Sequence, residues 1–316
     1  MKHPLLILAF NRPEKFEATL MSVLSDGNRK IYVSQDGPRI TKPNETMKTW
    51  QIIQKYLSSG AIYAVNHHQS NLGTLNGVQS GISWFFSLEE RGIILEDDLV
   101  LFDGALYEAD FALSFLDNSK DTASVNLRNI VPLSEISEPN STFRYSRLNT
   151  SHGWATTSFF WDKSIKSIKD KPKVSLLIQL CQFYGLIPSF FWFANYSNDY
   201  KLEKQTPEQA NWDIRWSISH ALNGWNSIYL NRNRLLYDGY GDDATHTKLL
   251  PKSCEEVYKV HGESPLSNPN ELKIDFRADK YLTRRGYGFT CLNGIRRILS
   301  VRSRVLKFKR LLLPNE

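Results

Sequence analysis

Short apolar runs alternate with helical patterns through the first third of the chain, and few folds accept that rhythm. Leu5 to Ala9 is followed by Pro13 to Leu24, Ile31 to Ser34 by Thr46 to Leu57, and Ala61 to Val65 by Leu75 to Phe86; Ile93 to Leu95 closes the series. Continuous apolar runs of this length read as strands buried on both faces, and the segments between them are long enough for crossover helices. The expected architecture is α/β, a mostly parallel central sheet flanked by helices. Ligands of such sheets bind beyond the carboxyl ends of the strands. Three of those ends carry polar residues: Asn11-Arg12-Pro13, Gln35-Asp36-Gly37 and Glu96-Asp97-Asp98.

The third of these is the most demanding. Gly92 to Leu95 runs directly into Glu96-Asp97-Asp98, and the sequence returns at once to the apolar Leu99 to Phe102. Carboxylates buried beside a strand need a compensating cation. An all-oxygen donor set suits a hard ion such as Mg²⁺ or Mn²⁺, with diphosphate oxygens completing its shell, and does not suit zinc. Acids after a strand also cap helices or face water, but the flanks here lack the Gly, Pro, Asn or Ser of a turn. No Gly-rich dinucleotide fingerprint follows the first run and no Walker loop occurs, so phosphate would be held through the metal.

Composition adds limits. The chain has 316 residues, 41% hydrophobic and 23% charged, ordinary for a globular protein. Cys181, Cys254 and Cys291 are odd in number and far apart, which points to thiols in a reducing compartment. The N-terminal apolar run is too short for a secretory signal, so the expected location is cytoplasmic. Leu176 to Ala194 is the most apolar stretch, interrupted by Gln179, Gln182, Gly185 and Pro188. A buried helix pair is expected there rather than a membrane span, with an apolar lip touching lipid as the alternative. Ten Lys or Arg against Glu316 give residues 280–316 a charge of +9, leaving the body near −3. Within that tail Ile298, Val301, Val305, Phe308 and Leu312 recur at spacings of three and four, a basic amphipathic helix that either docks on the body or lies on anionic lipid. No nucleic-acid motif accompanies the charge. Residues 1–250 read as one domain in which 127–250 build the floor and walls of a substrate site on the sheet of 1–126, with 251–316 a C-terminal extension. Nothing in the sequence bears on oligomeric state.

Taken in order, Ala9-Phe10-Asn11-Arg12-Pro13, Ser34-Gln35-Asp36-Gly37, Asn71-Leu72-Gly73, Ile94-Leu95-Glu96-Asp97-Asp98-Leu99, Gly153-Trp154 and Trp212-Asp213 resemble the GT-A glycosyltransferases, and within them the N-acetylglucosaminyltransferase I type. The resemblance spans roughly Pro4 to His246. It implies that Asp98 binds Mn²⁺ bridging the diphosphate of a sugar nucleotide, with Asp97 near the ribose and Glu96 near the sugar. Phe10, Asn11, Arg12 and Asp36 would grip the nucleoside, uridine. Asn71 and Gly73 open a helix whose exposed N–H groups favour an anion, with Gly73 as a plain turn residue the alternative. Gly153-Trp154 looks like the acceptor loop, its indole a platform for a sugar face. His246 is similar to a further metal or phosphate ligand of such enzymes. Asp213 is the candidate base, its pKa expected to be raised between Trp212 and Trp216; pairing with Arg215 or capping a helix is the structural alternative. The expected activity is metal-dependent, inverting transfer from a nucleotide-diphosphate sugar, a UDP-sugar, to a glycan or lipid-linked glycan in surface polysaccharide or lipopolysaccharide synthesis. The rivals are a sugar-nucleotide nucleotidyltransferase, and a silent GT-A-like carbohydrate-binding module or peripheral membrane scaffold.

Overall fold

The computed structural model describes residues 2–39, 43–116, 119–168, 174–239, 266–269 and 273–288. An eight-stranded sheet forms the centre, in the order β3-β2-β1-β4-β8-β6-β9-β7. Its first half is the expected parallel unit: β1 (Leu5–Ala9), β2 (Ile31–Gln35), β3 (Ala64–His67) and β4 (Arg91–Glu96) are connected through α1 (Pro13–Leu24), α2 (Pro43–Ser58) and α3 (Gly73–Leu88). Every residue of β1 and β2 is buried, as apolar runs without alternation require. The third strand lies a few residues later than the apolar run suggested, because Ile62 is drawn into the core while Ala64 to His67 make the ladder.

The second half departs from a parallel pattern. β8 (Trp154–Thr157) runs antiparallel between β4 and β6 (Thr122–Asn126), β6 pairs in parallel with β9 (Asn226–Leu230), and β7 (Phe143–Ser146) closes the edge antiparallel. The run Gly153 to Trp161 therefore divides into a strand and the helix α5 (Ser158–Ser167). β5 (Leu99–Leu101) and β10 (Leu235–Tyr237) form a separate antiparallel pair immediately after the acidic triplet. α4 (Ala105–Leu113) packs beneath β6, β8 and β9.

Leu176 to Ala194 forms a helix pair, α6 (Val174–Tyr184) and α7 (Leu186–Gln205), turning at Gly185. The pair is not buried as expected: only Leu176 and Leu180 of α6 enter the core, against Trp192, Tyr196 and Ile218. α8 (Asp213–Asn223) lies against both. Of the C-terminal extension, α9 (Phe276–Tyr281) begins at Asp275, whose carboxylate caps the Arg277 and Ala278 N–H groups. Ala278 and Leu282 bury against Val131, Leu148 and Tyr229, so this part of the extension belongs to the body. His246 and the basic amphipathic segment lie outside the described residues.

Candidate active site

Register brings the polar strand ends together. Ala9 pairs with Gln35 and Leu8 with Glu96, so Phe10 to Arg12, Asp36 to Gly37 and Asp97 to Asp98 leave the sheet along one edge. Asp97 accepts the Phe10 N–H at 3.0 Å, and the Arg12 guanidinium donates to Asp97 at 3.3 Å and to Asp98 at 2.7 Å. Arg12, read as a nucleoside contact, thus meets part of the charge compensation expected from a metal. The pairing is largely out of water: the side chains of Arg12, Asp97 and Asp98 are 17%, 7% and 3% exposed.

One guanidinium does not balance three carboxylates. Burial, with the charges of Asp98, Asp213 and Asp97 behind it, pushes Glu96 well above the usual carboxylate range. Burial also drives Asp97 upward against the pull of Arg12. Asp98 rises to about 6 through burial and Asp97, opposed by Arg12 and Lys15. Asp98 Oδ2 takes the Arg12 bond, whereas Oδ1 is buried with no hydrogen-bond partner. Among the described residues no group of three or more His, Cys, Asp or Glu side chains converges as a metal cage. A hard cation here would meet the orphaned Asp98 oxygen.

The end of β10 runs alongside the backbone of Asp98. Antiparallel pairing sets Tyr237 against Leu99, and the Asp238 N–H donates to the Asp98 carbonyl at 2.8 Å. Lys15 donates to the Asp238 carbonyl at 2.7 Å and contributes its field to both acids.

Asp36 differs from expectation. Its Oδ1 accepts the N–H groups of Gly37 and Leu72, each at 2.8 Å, while Oδ2 accepts the Asn71 amide at 2.8 Å and the Gly73 N–H at 3.1 Å. Two bonds on each oxygen use the acceptor capacity of a carboxylate. Asp36 therefore orders the loop before α3 and has no lone pair to spare for a nucleoside. The anion expected at the start of α3 is Asp36 itself. Gly73 is required there by its left-handed φ of +79°.

Trp154 also takes another role. It pairs with Ile94, is fully buried, and its indole packs at 4.8 Å on Trp216 and 5.7 Å on Trp212. No face is left for a sugar. Gly153 has φ +70°, and a Cβ on it would lie 2.5 Å from Leu235 Cδ2, so the loop is built for close packing.

Asp213 is the first residue of α8, with no side-chain cap on that helix from Trp212. Arg215, its suspected structural partner, pairs with Asp199 at 3.3 Å and Glu203 at 2.9 Å. The field of Asp213 reaches both Glu96 and Tyr287. Asp213 and the triplet, far apart in sequence, thus share one electrostatic neighbourhood.

Three residues of this region escaped the sequence reading. The Arg39 guanidinium sits 5.1 Å over the Phe10 ring, a cation–aromatic pair at the mouth of the first loop. Lys15 was legible in principle, one helical turn beyond Asn11. Tyr287, whose hydroxyl donates to the Asn149 carbonyl at 2.7 Å, comes from the extension and had no sequence signal.

No protein-family model matches the chain. No curated protein matches it. Among solved structures, the crystal structure of S. aureus TarS is similar over 66% of this chain and 41% of that chain, at 14% identity and a TM-score of 0.39. The structure of S. aureus TarS 1–349 is similar over 75% and 60%, at 12% identity and 0.41. Mannose-1-phosphate geranyltransferase from Thermus thermophilus is similar over 75% of each chain, at 12% identity and 0.37. The chain spans about two-fifths of the TarS chain and three-fifths of the shorter one.

Proposed function

We propose that this chain is an inverting glycosyltransferase of GT-A type, moving a sugar from a nucleotide-diphosphate sugar, a UDP-sugar, to a glycan or lipid-linked glycan. One observation carries the reading: a surplus of buried negative charge at the carboxyl edge of the parallel strands, with Asp98 Oδ1 left without a partner and Asp213 within electrostatic reach. Structural acids are ordinarily neutralised, and perturbed acids in a crevice mark working sites.

A divalent ion fits that oxygen. Asp98, with His246 from beyond the described residues, would hold Mg²⁺ or Mn²⁺, which when bound supplies positive charge to a departing diphosphate. The chain's own residues do the rest. The Phe10 N–H and Arg12 hold Asp97 rigidly for a ribose hydroxyl, and the Phe10 ring with Arg39 forms one wall for the base. Glu96, whose carboxyl is pushed above the usual carboxylate range by burial and the neighbouring acids, would hydrogen-bond to the sugar. Asp213 takes the proton of the acceptor hydroxyl as its oxygen bonds to the anomeric carbon. The bond from that carbon to the diphosphate oxygen breaks on the opposite face, inverting the centre.

The test is transfer from a panel of UDP- and GDP-sugars with Mn²⁺, in native protein and in Asp213→Asn. Native turnover, with the variant retaining donor affinity while losing transfer, supports the assignment. Near-native turnover in the variant removes Asp213 from the mechanism. Donor binding without turnover in the native chain makes it a silent binding module, and sugar-nucleotide formation from a sugar phosphate and a nucleoside triphosphate makes it a nucleotidyltransferase.

A further inference from the structure

From Val174 to Asn198 no residue is charged, yet this stretch lies at the surface. Leu176 and Leu180, one helical turn apart, turn inward. Val174, Ile178 and Gln182 form the opposite stripe of α6, with Val174 72% and Ile178 54% exposed. At the turn into α7, Leu186 is 64% exposed. Exposed apolar side chains scattered singly are ordinary, but an uncharged face that gathers Val174, Ile178, Leu186 and Ile187 among only neutral polar residues marks an interaction surface.

The face continues into a groove of about 320 Å³ between this turn and α9, walled by Phe183, Ile187 and Phe276. Its rim is cationic: Arg147, Lys280 and Arg284. Arg147 donates to the Phe183 carbonyl at 2.9 Å, its guanidinium 5.3 Å over the Phe276 ring, so the charge sits level with the apolar surface. The acid among the lining residues, Asp279, is turned inward onto the Ser146 hydroxyl and the Arg147 N–H.

We propose that this face, the outer side of the α6–α7 hairpin with its basic groove, docks on an anionic lipid bilayer. Charge selects the occupant. An apolar surface bordered by fixed cations matches the acyl boundary and anionic headgroups of a membrane. A second copy of the face would set cations against cations. So would the chain's own C-terminal segment: beyond Gly288, where description ends a few residues past the groove-lining Arg284, residues 289–316 carry seven Lys or Arg against Glu316. Among the described residues no helix is long and apolar enough to cross a membrane, so the hairpin lies on the bilayer. This docking stands independently of the proposed activity. It complements it, since α8, which starts at Asp213, packs on both docking helices.

The test uses the full chain, co-sedimented with phosphatidylglycerol-rich vesicles and with phosphatidylcholine vesicles. Native protein is expected to bind the anionic vesicles. The double variant Leu186→Glu, Ile187→Glu is expected to bind them roughly tenfold more weakly or worse, from lost apolar insertion and added repulsion. Phe159→Glu, an equally exposed apolar site elsewhere at 62%, is expected to leave binding unchanged. Three results overturn the proposal: no native binding, native-like binding of the double variant, or sedimentation equilibrium showing that the double variant splits a dimer without affecting vesicle binding. Thermal melts equal to native establish that the substituted chains are folded.

Discussion

Arg12 is the residue whose removal reads the site's charge balance most directly. Arg12→Met keeps the methylene packing and deletes the guanidinium between Asp97 and Asp98, whose side chains are 7% and 3% exposed. Breaking a buried pair by removing one partner costs about 3–5 kcal/mol; an exposed pair is worth about 0–1. With Arg12 itself 17% exposed, a loss of about 3 kcal/mol is expected at pH 8. The sign of the pH dependence follows from the direction of the shifts. Arg12 lowers both carboxyls, so its removal raises their folded pKa values further above the unfolded ones, Asp98 starting from about 6. The variant then binds protons more readily when folded than unfolded, and its stability falls more steeply as pH rises. Urea denaturation in EDTA at pH 8 and pH 5 measures this, with the deficit shrinking to about 1 kcal/mol at the lower pH as the acids protonate. A deficit below about 1 kcal/mol at pH 8, or one independent of pH, would show that Arg12 is not the compensating cation.

Other consequences follow from single contacts. Gly153→Ala forces a side chain into a left-handed conformation and against Leu235 Cδ2, and a loss of about 1–3 kcal/mol in thermal or urea melts is expected; native-like stability would mean that the loop has room. Asp36→Ala strands the Leu72 and Gly73 N–H groups, so amide exchange at those two positions should accelerate and stability fall by about 3 kcal/mol, whereas unchanged protection would remove Asp36 as organiser of the loop. Burial holds His220 down at about 4 and lifts Asp279 to about 6, from ordinary values of 6.5 and 3.8. The His220 contribution is present above 6.5 and lost as pH falls through 4, while that of Asp279 is present below 3.8 and lost as pH rises through 6, each on the order of 3 kcal/mol. The two offset one another between these limits, so Asp279→Asn should unmask a steeper acid-side loss of stability; an unchanged pH profile would contradict the Asp279 assignment.

The parallel half of the sheet was legible because its chemistry is local. Leu5 to Ala9 and Ile31 to Ser34 have no polar face to offer water, so they must be covered on both sides, and crossover helices between them enforce parallel order. That order alone sends Asn11, Asp36 and Asp98 to one edge. The insertion of β8 antiparallel beside β4 was not legible, since strand pairing depends on distant partners.

The same division runs through the site. That Glu96 to Asp98 would need positive charge was inherent in three acids set between apolar runs. That Arg12 supplies part of it, from 85 residues away, depends on the alignment of Leu8 with Glu96. Trp154 reads identically as a sugar platform or as core, and only the indoles of Trp212 and Trp216 packed against it decide for core. Likewise α6 has apolar residues on more than one side, Leu176 and Leu180 opposite Val174 and Ile178, so periodicity names no single inward side. Packing of Leu176 and Leu180 on Trp192 and Ile218 leaves Val174 and Ile178 facing out. Composition along the chain determined which segments had to be covered and which charges had to be answered; tertiary packing alone decided what covers and answers them, because contact energies act between neighbours in space.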